Sequence, residues 1–251
     1  MDRDRLAQSR AFLQDTIRLT FDFSQTDQSR GVPPPPVEKP FDPQARRIAL
    51  PGPAEWPGIA PCDLRAAIAG RKSQRKFRPD PLSLEELAFL LWATQGVRHK
   101  ENPARVYRTV PSAGCRHALE TYLAVFHVDG LEEGVYRYLP VEHELLFEFA
   151  EEDLGDKVAA AALGQTFCAA GAVTFLWTAL PYRMEWRYGL AAHKVIAVDA
   201  GHVCQNLYLA CAAVGAGTCA IAAYHQPAMD QLLRLDGEEE FVVYLAPVGK
   251  I

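Results

Sequence analysis

The stretch from Val195 to Val214 constrains this chain more than any other segment. It is long and apolar enough to suggest a membrane span, yet it holds Asp199, His202, Gln205 and Asn206. Hydrocarbon offers no partners to such a set, so a bilayer helix rarely accepts it. The alternative is a soluble helix, apolar almost all round and therefore buried on most sides. The pattern predicts that helix over 193–214, and the rest of the fold must supply a core around it. With 251 residues, 49% of them hydrophobic and 23% charged, the chain can do so as one large domain, or as a domain plus an extension.

The net charge of -5 argues against a general role with nucleic acid or an anionic membrane, so any anion site must be built locally. Of the six cysteines, none forms a C-x-x-C pair and none stands with histidine at zinc spacing, so no metal site is expected. Reduced thiols in a cytoplasmic protein are the simplest reading. The opening Met1 to Arg5 is too charged for a signal peptide.

Residues 1–60 differ from the remainder. One amphipathic helix is expected over 6–19. Pro33 to Pro36 then run consecutively, followed by Pro40, Pro43, Pro51 and Pro53. Proline locks φ and lacks an amide donor, so this stretch is extended, either as an arm wrapping the domain or as a proline-rich recognition motif. A globular pattern begins at Pro61 and continues over 61–251. Asp63 caps a short helix that stops at Gly70. Ser83 and Glu86 form a capping box, Leu84, Leu87, Leu90 and Leu91 share one helical face, and Gly96 ends that helix. Strands are expected over 120–128, 134–139, 145–149, 172–180, 218–223 and 241–248, with further helices over 151–163 and 227–235. Mixed elements with a central hairpin favour α+β over a βαβ series.

Two segments carry chemistry. Arg71 to Arg78 holds five basic residues in eight. If it runs extended, Arg71, Ser73 and Arg75 point to one side, because successive side chains alternate. Two guanidinium forks and a hydroxyl suit a phosphate. A solvated basic run is the other reading, though Phe77, Pro79 and Pro81 tie the segment to an ordered domain. The second segment is Pro111-Ser112-Ala113-Gly114, a tight bend that either lies against a flat ligand or simply precedes a strand. Neither a Rossmann nor a P-loop fingerprint is present. Gly215 and Gly217 end the long helix, and Ile221 to Tyr224 keeps its side chains small. Asp199, His202 and Asn206 make one polar stripe on an apolar helix, better read as interhelical hydrogen bonding than as metal ligands. Tyr182, Trp186 and Tyr188 either line a substrate mouth or pack.

In this order the segments resemble the nitroreductase superfamily. Arg71-x-Ser73-x-Arg75 looks like its phosphate-binding and ribityl-binding opening. Arg108-Thr-Val-Pro-Ser-Ala-Gly114, Arg116-His117, Glu120-Thr-Tyr122, Arg187-Tyr188-Gly189, Asp199-Ala-Gly-His202, Gln205-Asn-Leu-Tyr-Leu209 and Tyr244-Leu-Ala-Pro-Val-Gly-Lys250 are similar to its SagB-type (thiazoline/oxazoline dehydrogenase) branch. The resemblance covers about residues 61–251. It implies a three-layer α-β-α sandwich and an intertwined homodimer with FMN at the subunit interface. Arg71, Lys72, Ser73 and Arg75 would hold the phosphate and ribityl chain. Pro111, Ser112, Ala113 and Gly114 would approach the ring from the other subunit, and Ala222 and Ala223 would lie near flavin N5. The long helix would lie in the dimer interface.

Three departures matter. Cys115 stands where many nitroreductases have asparagine. Arg187 precedes Tyr188 where azoline dehydrogenases have lysine, and arginine does not deprotonate, so it cannot be a general base. A basic residue expected in a C-terminal tail is lacking, leaving Lys250 as the substitute. The implied activity is electron transfer through FMN between NAD(P)H and a small acceptor such as a nitroaromatic or quinone, with Tyr188 and His193 exchanging protons. Dehydrogenation of a peptide heterocycle and non-catalytic flavin binding are the other readings.

Overall fold

The computed structural model describes residues 2–251. Helices α1 (Arg3–Ala11), α2 (Leu64–Gly70), α3 (Leu84–Gln95), α4 (Leu154–Ala161), α5 (Tyr182–Tyr188), α6 (Ala192–Ala213) and α7 (Gln226–Leu232) alternate with nine strands. These are β1 (Arg47–Ala49), β2 (Val97–Asn102), β3 (Arg105–Arg108), β4 (Leu119–Val125), β5 (Gly134–Leu139), β6 (Glu144–Phe149), β7 (Val173–Ala179), β8 (Ala216–Thr218) and β9 (Phe241–Lys250). Seven strands form one sheet in the order β1-β6-β5-β4-β7-β9-β8, with every neighbouring pair antiparallel. The hairpin β2-β3 stands apart from it.

Strand alternation sorts the core into two layers. Leu119, Leu123, Phe175 and Trp177 face α3 and α6, joining Leu87, Leu91, Ile196, Val203 and Leu207. Tyr122, Ala124 and Leu176 face the other way, against Leu154 and Val158 of α4 and Met229 of α7. The result is an α+β, three-layer α-β-α sandwich. Both expected caps are present: the Asp63 side chain accepts from the Ala66 amide at 2.7 Å, and Ser83 and Glu86 bond each other's amides. No helix among the described residues is long and apolar enough to cross a membrane.

The proline arm is held by donors it cannot supply itself. A proline-rich strand has carbonyls but few amide N–H groups, so its partners must donate. Arg108 donates to the Val37 carbonyl at 2.8 Å, Arg137 to those of Lys39 and Pro40, and Trp186 Nε1 to that of Val32 at 2.9 Å. Arg137 is only 2% exposed and also pairs with Glu148 at 2.8 Å. Lys39 reaches Glu240 and the Tyr122 hydroxyl. The arm then adds β1 to the sheet edge.

Several expectations need correction. The helix expected over 6–19 is two pieces, α1 and a 3₁₀ turn at Thr16–Leu19; with Leu6 its one large apolar residue, α1 has no stripe to bury and none of its residues is buried. The strand expected over 218–223 is confined to Ala216–Thr218; beyond it only Ile221 pairs with the sheet, at Leu245, and the small side chains of Ala222 and Ala223 stay exposed. The α6 helix is less enclosed than its apolarity implies: Ala197, Val198, Gly201, His202, Gln205 and Ala212 form an uncovered face. Its polar stripe does bond between helices, since Asn206 donates to the Ala93 carbonyl of α3 at 2.8 Å.

One arm residue predicts a pH dependence. Burial, with help from Glu142 and Glu120, pushes the Glu38 carboxyl up to about 8 from 4.5, against the hydrogen bond it accepts from the Val141 amide. Between those values the folded arm keeps a proton that the unfolded chain releases, so stability falls as pH rises through that window. Glu38→Gln is expected to flatten this slope in urea titrations at stepped pH. An unchanged slope would remove Glu38 as its source.

Candidate active site

The basic run follows α2 and lies along the β8-β9 edge. The Gln74 amide donates to the Thr218 carbonyl and the Arg78 amide to the Lys250 carbonyl, each at 2.9 Å. The Ser73 hydroxyl meets the Tyr208 hydroxyl at 2.9 Å, and the Arg71 guanidinium stands 5.2 Å over the Tyr208 ring. Arg71 and Ser73 thus share a partner, but strict alternation does not hold along the run: Lys72 and Gln74 line the same cavity as Arg71, and Arg75 packs on a different ring. Arg75 stands 5.6 Å over Phe167. Arg71, Lys72, Ser73 and Arg75 are exposed, and none of these three cations pairs with a carboxylate among the described residues. A cavity of about 300 Å³ opens here, lined by Arg71, Lys72, Gln74, Tyr208 and Thr218. Tyr208 also accepts from the Ala220 amide at 2.9 Å, so one phenol joins the basic run to the loop carrying Ala222 and Ala223.

The Pro111–Gly114 bend sits elsewhere on the molecule. Gly114 has φ 58°, and a Cβ there would lie 2.6 Å from the Arg187 side chain and from the Tyr188 hydroxyl. Only glycine lets the bend close on that pair. The Ser112 hydroxyl accepts from the His117 amide at 2.9 Å. Asp199 of α6 lies beside Ser112 and Ala113, 5% exposed, and its Oδ2 has no partner. Burial raises its pKa despite the Ser112 hydroxyl and Ala113 amide that favour the charged form. Arg187 donates to Gln28 at 3.1 Å, while its Nε is buried and unpartnered. An orphaned carboxyl oxygen and an orphaned guanidinium nitrogen therefore flank the same bend.

His193 Nε2 meets Glu185 Oε1 at 2.8 Å. It shares a cavity of about 460 Å³ with Ile196, Ala200, Ala222, Tyr244 and Phe12. The Ala223 carbonyl accepts from Gln165 at 2.9 Å. The structure thus groups the basic run with Ala220–Ala223, the bend with Tyr188, and His193 with Ala222. It does not bring the bend to the basic run: Asp199 and Tyr208, their contacts on α6, are nine residues apart, about 13 Å along the helix.

The model of the Nitroreductase family matches residues 68–250. This chain belongs to the nitroreductase family. A Methanocaldococcus jannaschii protein classed with the nitroreductases, MJ1384, is 34% identical over 196 residues, covering 78% of this chain and 95% of that one. A solved nitroreductase-family structure from Ralstonia eutropha superposes with a TM-score of 0.67 at 27% identity, covering 87% of this chain and 98% of that chain. The trifolitoxin-processing protein TfxB of Rhizobium leguminosarum bv. trifolii is 28% identical over 166 residues, 63% of this chain and 44% of its own length.

Within this nitroreductase-family site, one sequence expectation fails on geometry. The Lys250 ammonium pairs with Glu86 and donates to the Val214 carbonyl at 2.8 Å. It ties the last strand to α3 and to the end of α6, and is not free for a phosphate. Two residues escaped the sequence reading as site residues. Tyr208 is a lone tyrosine on an apolar helix and gives no periodic signal, and Asp199 was legible only as part of a polar stripe.

Proposed function

We propose that this chain is an FMN-dependent oxidoreductase that works as a homodimer, carrying electrons from NAD(P)H to a small organic acceptor such as a nitroaromatic or quinone. The observation that carries this reading is the exposed, carboxylate-free run Arg71–Arg75, joined through Tyr208 to the loop of small residues. These residues fit the cofactor: Arg71, Lys72, Ser73 and Arg75 would hold its phosphate and ribityl chain, with Ala222 and Ala223 at its ring. FMN, when bound, supplies reversible hydride chemistry at N5.

The chain's own residues do the remaining work. The Pro111–Gly114 bend of a second copy would complete the ring site, which suits its distance from the basic run within one copy. The uncovered α6 face at Val198, His202, Gln205 and Ala212 offers that copy a surface to bury. The unpartnered Arg187 Nε places fixed positive charge by the bend, where negative charge is stabilised. Tyr188 at its hydroxyl and His193 at Nε2, oriented by Glu185, are the groups able to pass protons. A cytoplasmic location goes with six unpaired cysteines.

A second reading, oxidation of an azoline ring in a peptide, is favoured by the toxin-processing relative. Arg187 in place of a lysine weighs against it, because a guanidinium does not take up a proton. Purified protein is expected to be yellow and to release a flavin with the mass of FMN. NADH or NADPH should bleach it without oxygen, and menadione or nitrobenzene should restore the colour. Release of FAD, or no flavin after reconstitution, would sink the proposal; bleaching by a thiazoline peptide alone would establish the second reading.

A further inference from the structure

The segment ahead of the proline run packs where the proposed chemistry occurs. Gly189, with φ 50°, has the Phe21 ring where a side chain would be: its Cζ lies 2.2 Å from the position of a Cβ. A glycine at the α5-α6 joint is what seats this ring. Arg18, ion-paired with Asp15 at 2.8 Å, stands 5.6 Å over the Tyr188 ring and 5.9 Å over Phe23. Downstream, Tyr182 donates to Asp27 at 2.7 Å, and the Gln28 amide donates to the Trp186 carbonyl at 2.9 Å. Residues 15–28 are therefore laid along α5, the helix that carries Tyr188.

Phe12 extends this layer over the 460 Å³ cavity shared by His193, Ala200, Ala222 and Tyr244. Among the described residues, no Asp, Glu, Lys or Arg lines that cavity. Phe12 is 50% exposed, an apolar ring at a cavity mouth with one side left to water. A flat uncharged molecule entering the cavity would cover it.

We propose that Phe12 to Phe23 forms the outer wall of the electron-acceptor site and selects uncharged aromatic molecules. The wall rests on the functional reading above. It places Phe12 in ring-to-ring contact with the acceptor and Arg18 as the residue that holds the wall against Tyr188.

The test compares wild type with Phe12→Ala, Phe12→Leu and Arg18→Gln, all changes at surface positions of the full chain. Losing an aromatic contact should weaken binding about fivefold. N-phenyl-1-naphthylamine, a neutral fluorescent probe, is titrated first and displaced with nitrobenzene. Phe12→Ala should lower the nitrobenzene-displaceable affinity by about that factor, and Phe12→Leu should restore part of it. In turnover, Phe12→Ala should raise KM for nitrobenzene about fivefold with kcat little changed, while KM for the anionic 4-nitrobenzoate stays level or falls. Arg18→Gln should follow the same pattern more weakly. Unchanged probe affinity in both Phe12→Ala and Arg18→Gln overturns the wall. Weakened probe binding with unaltered kinetics for both acceptors overturns its role in selection. A wild type without turnover defeats the functional reading instead, and the probe titration then decides the wall by itself.

Discussion

A chain carrying Arg71→Ala and Arg75→Ala together is expected to fold normally and to lose the affinity for FMN proposed above. Each guanidinium removed takes with it a charge-assisted hydrogen bond of about 1.5–3 kcal/mol, so affinity should fall by about a hundredfold to ten-thousandfold. The fold should survive because both side chains are exposed and neither is ion-paired; their stacking on Tyr208 and Phe167 is worth about 0.5–1 kcal/mol each. The checks are flavin retained per chain after gel filtration, a fluorescence titration with added FMN, and circular dichroism. Full cofactor retention with intact folding would move the phosphate site away from this edge. Tyr208→Phe is the internal control, since it removes the hydroxyl that joins Ser73 to the Ala220 amide but leaves both arginines in place.

The largest effect on stability is expected from Glu120→Ala. Glu120 is buried, meets Arg183 at 2.5 Å and accepts from the Lys39 amide of the proline arm at 2.8 Å. Removing the carboxylate strands a buried guanidinium, which costs about 3–5 kcal/mol and should lower Tm by about 10 °C in a chain of this size. Burial raises the Glu120 pKa, but Arg183, Arg108 and Arg137 together outweigh it and hold it below 4.5. Its contribution is therefore present at neutral pH and lost as pH falls below the ordinary carboxylate range. The stabilities of wild type and variant should converge in acid. A neutral-pH Tm within about 2 °C of wild type would mean that the network is replaced without strain.

Much of the architecture was legible because its signals are local. The caps at Asp63 and Ser83 announce α2 and α3 by a polar side chain set just before an apolar period. Strand β5 begins and ends at Gly134 and Leu139, as its bounded run predicts. Other elements carried no such signal. Strand β1 is three residues long and exists because β6 leaves an edge for it at Arg47 to Ala49. The β2 strand, Val-Arg-His-Lys-Glu-Asn, is almost wholly exposed and shows no alternation. The seven residues of α5 are too few for a helical period to stand out.

The site divides along the same line. The basic run and the Pro-Ser-Ala-Gly bend were visible as unusual compositions within short windows, and their resemblance to known motifs supplied the family. Sequence could not say which of those windows meet. The seating of Phe21 on Gly189, the bridge from Ser73 through Tyr208 to Ala220, the unpartnered Asp199 beside the bend and the commitment of Lys250 to Glu86 all join residues far apart in the chain. Amino-acid order alone determined most of the longer helices and strands, the α+β class and the two chemical segments, since caps, periodicity and charge act over a few residues. Tertiary packing decided their partners, because a contact between distant residues depends on how every intervening element folds back onto the sheet.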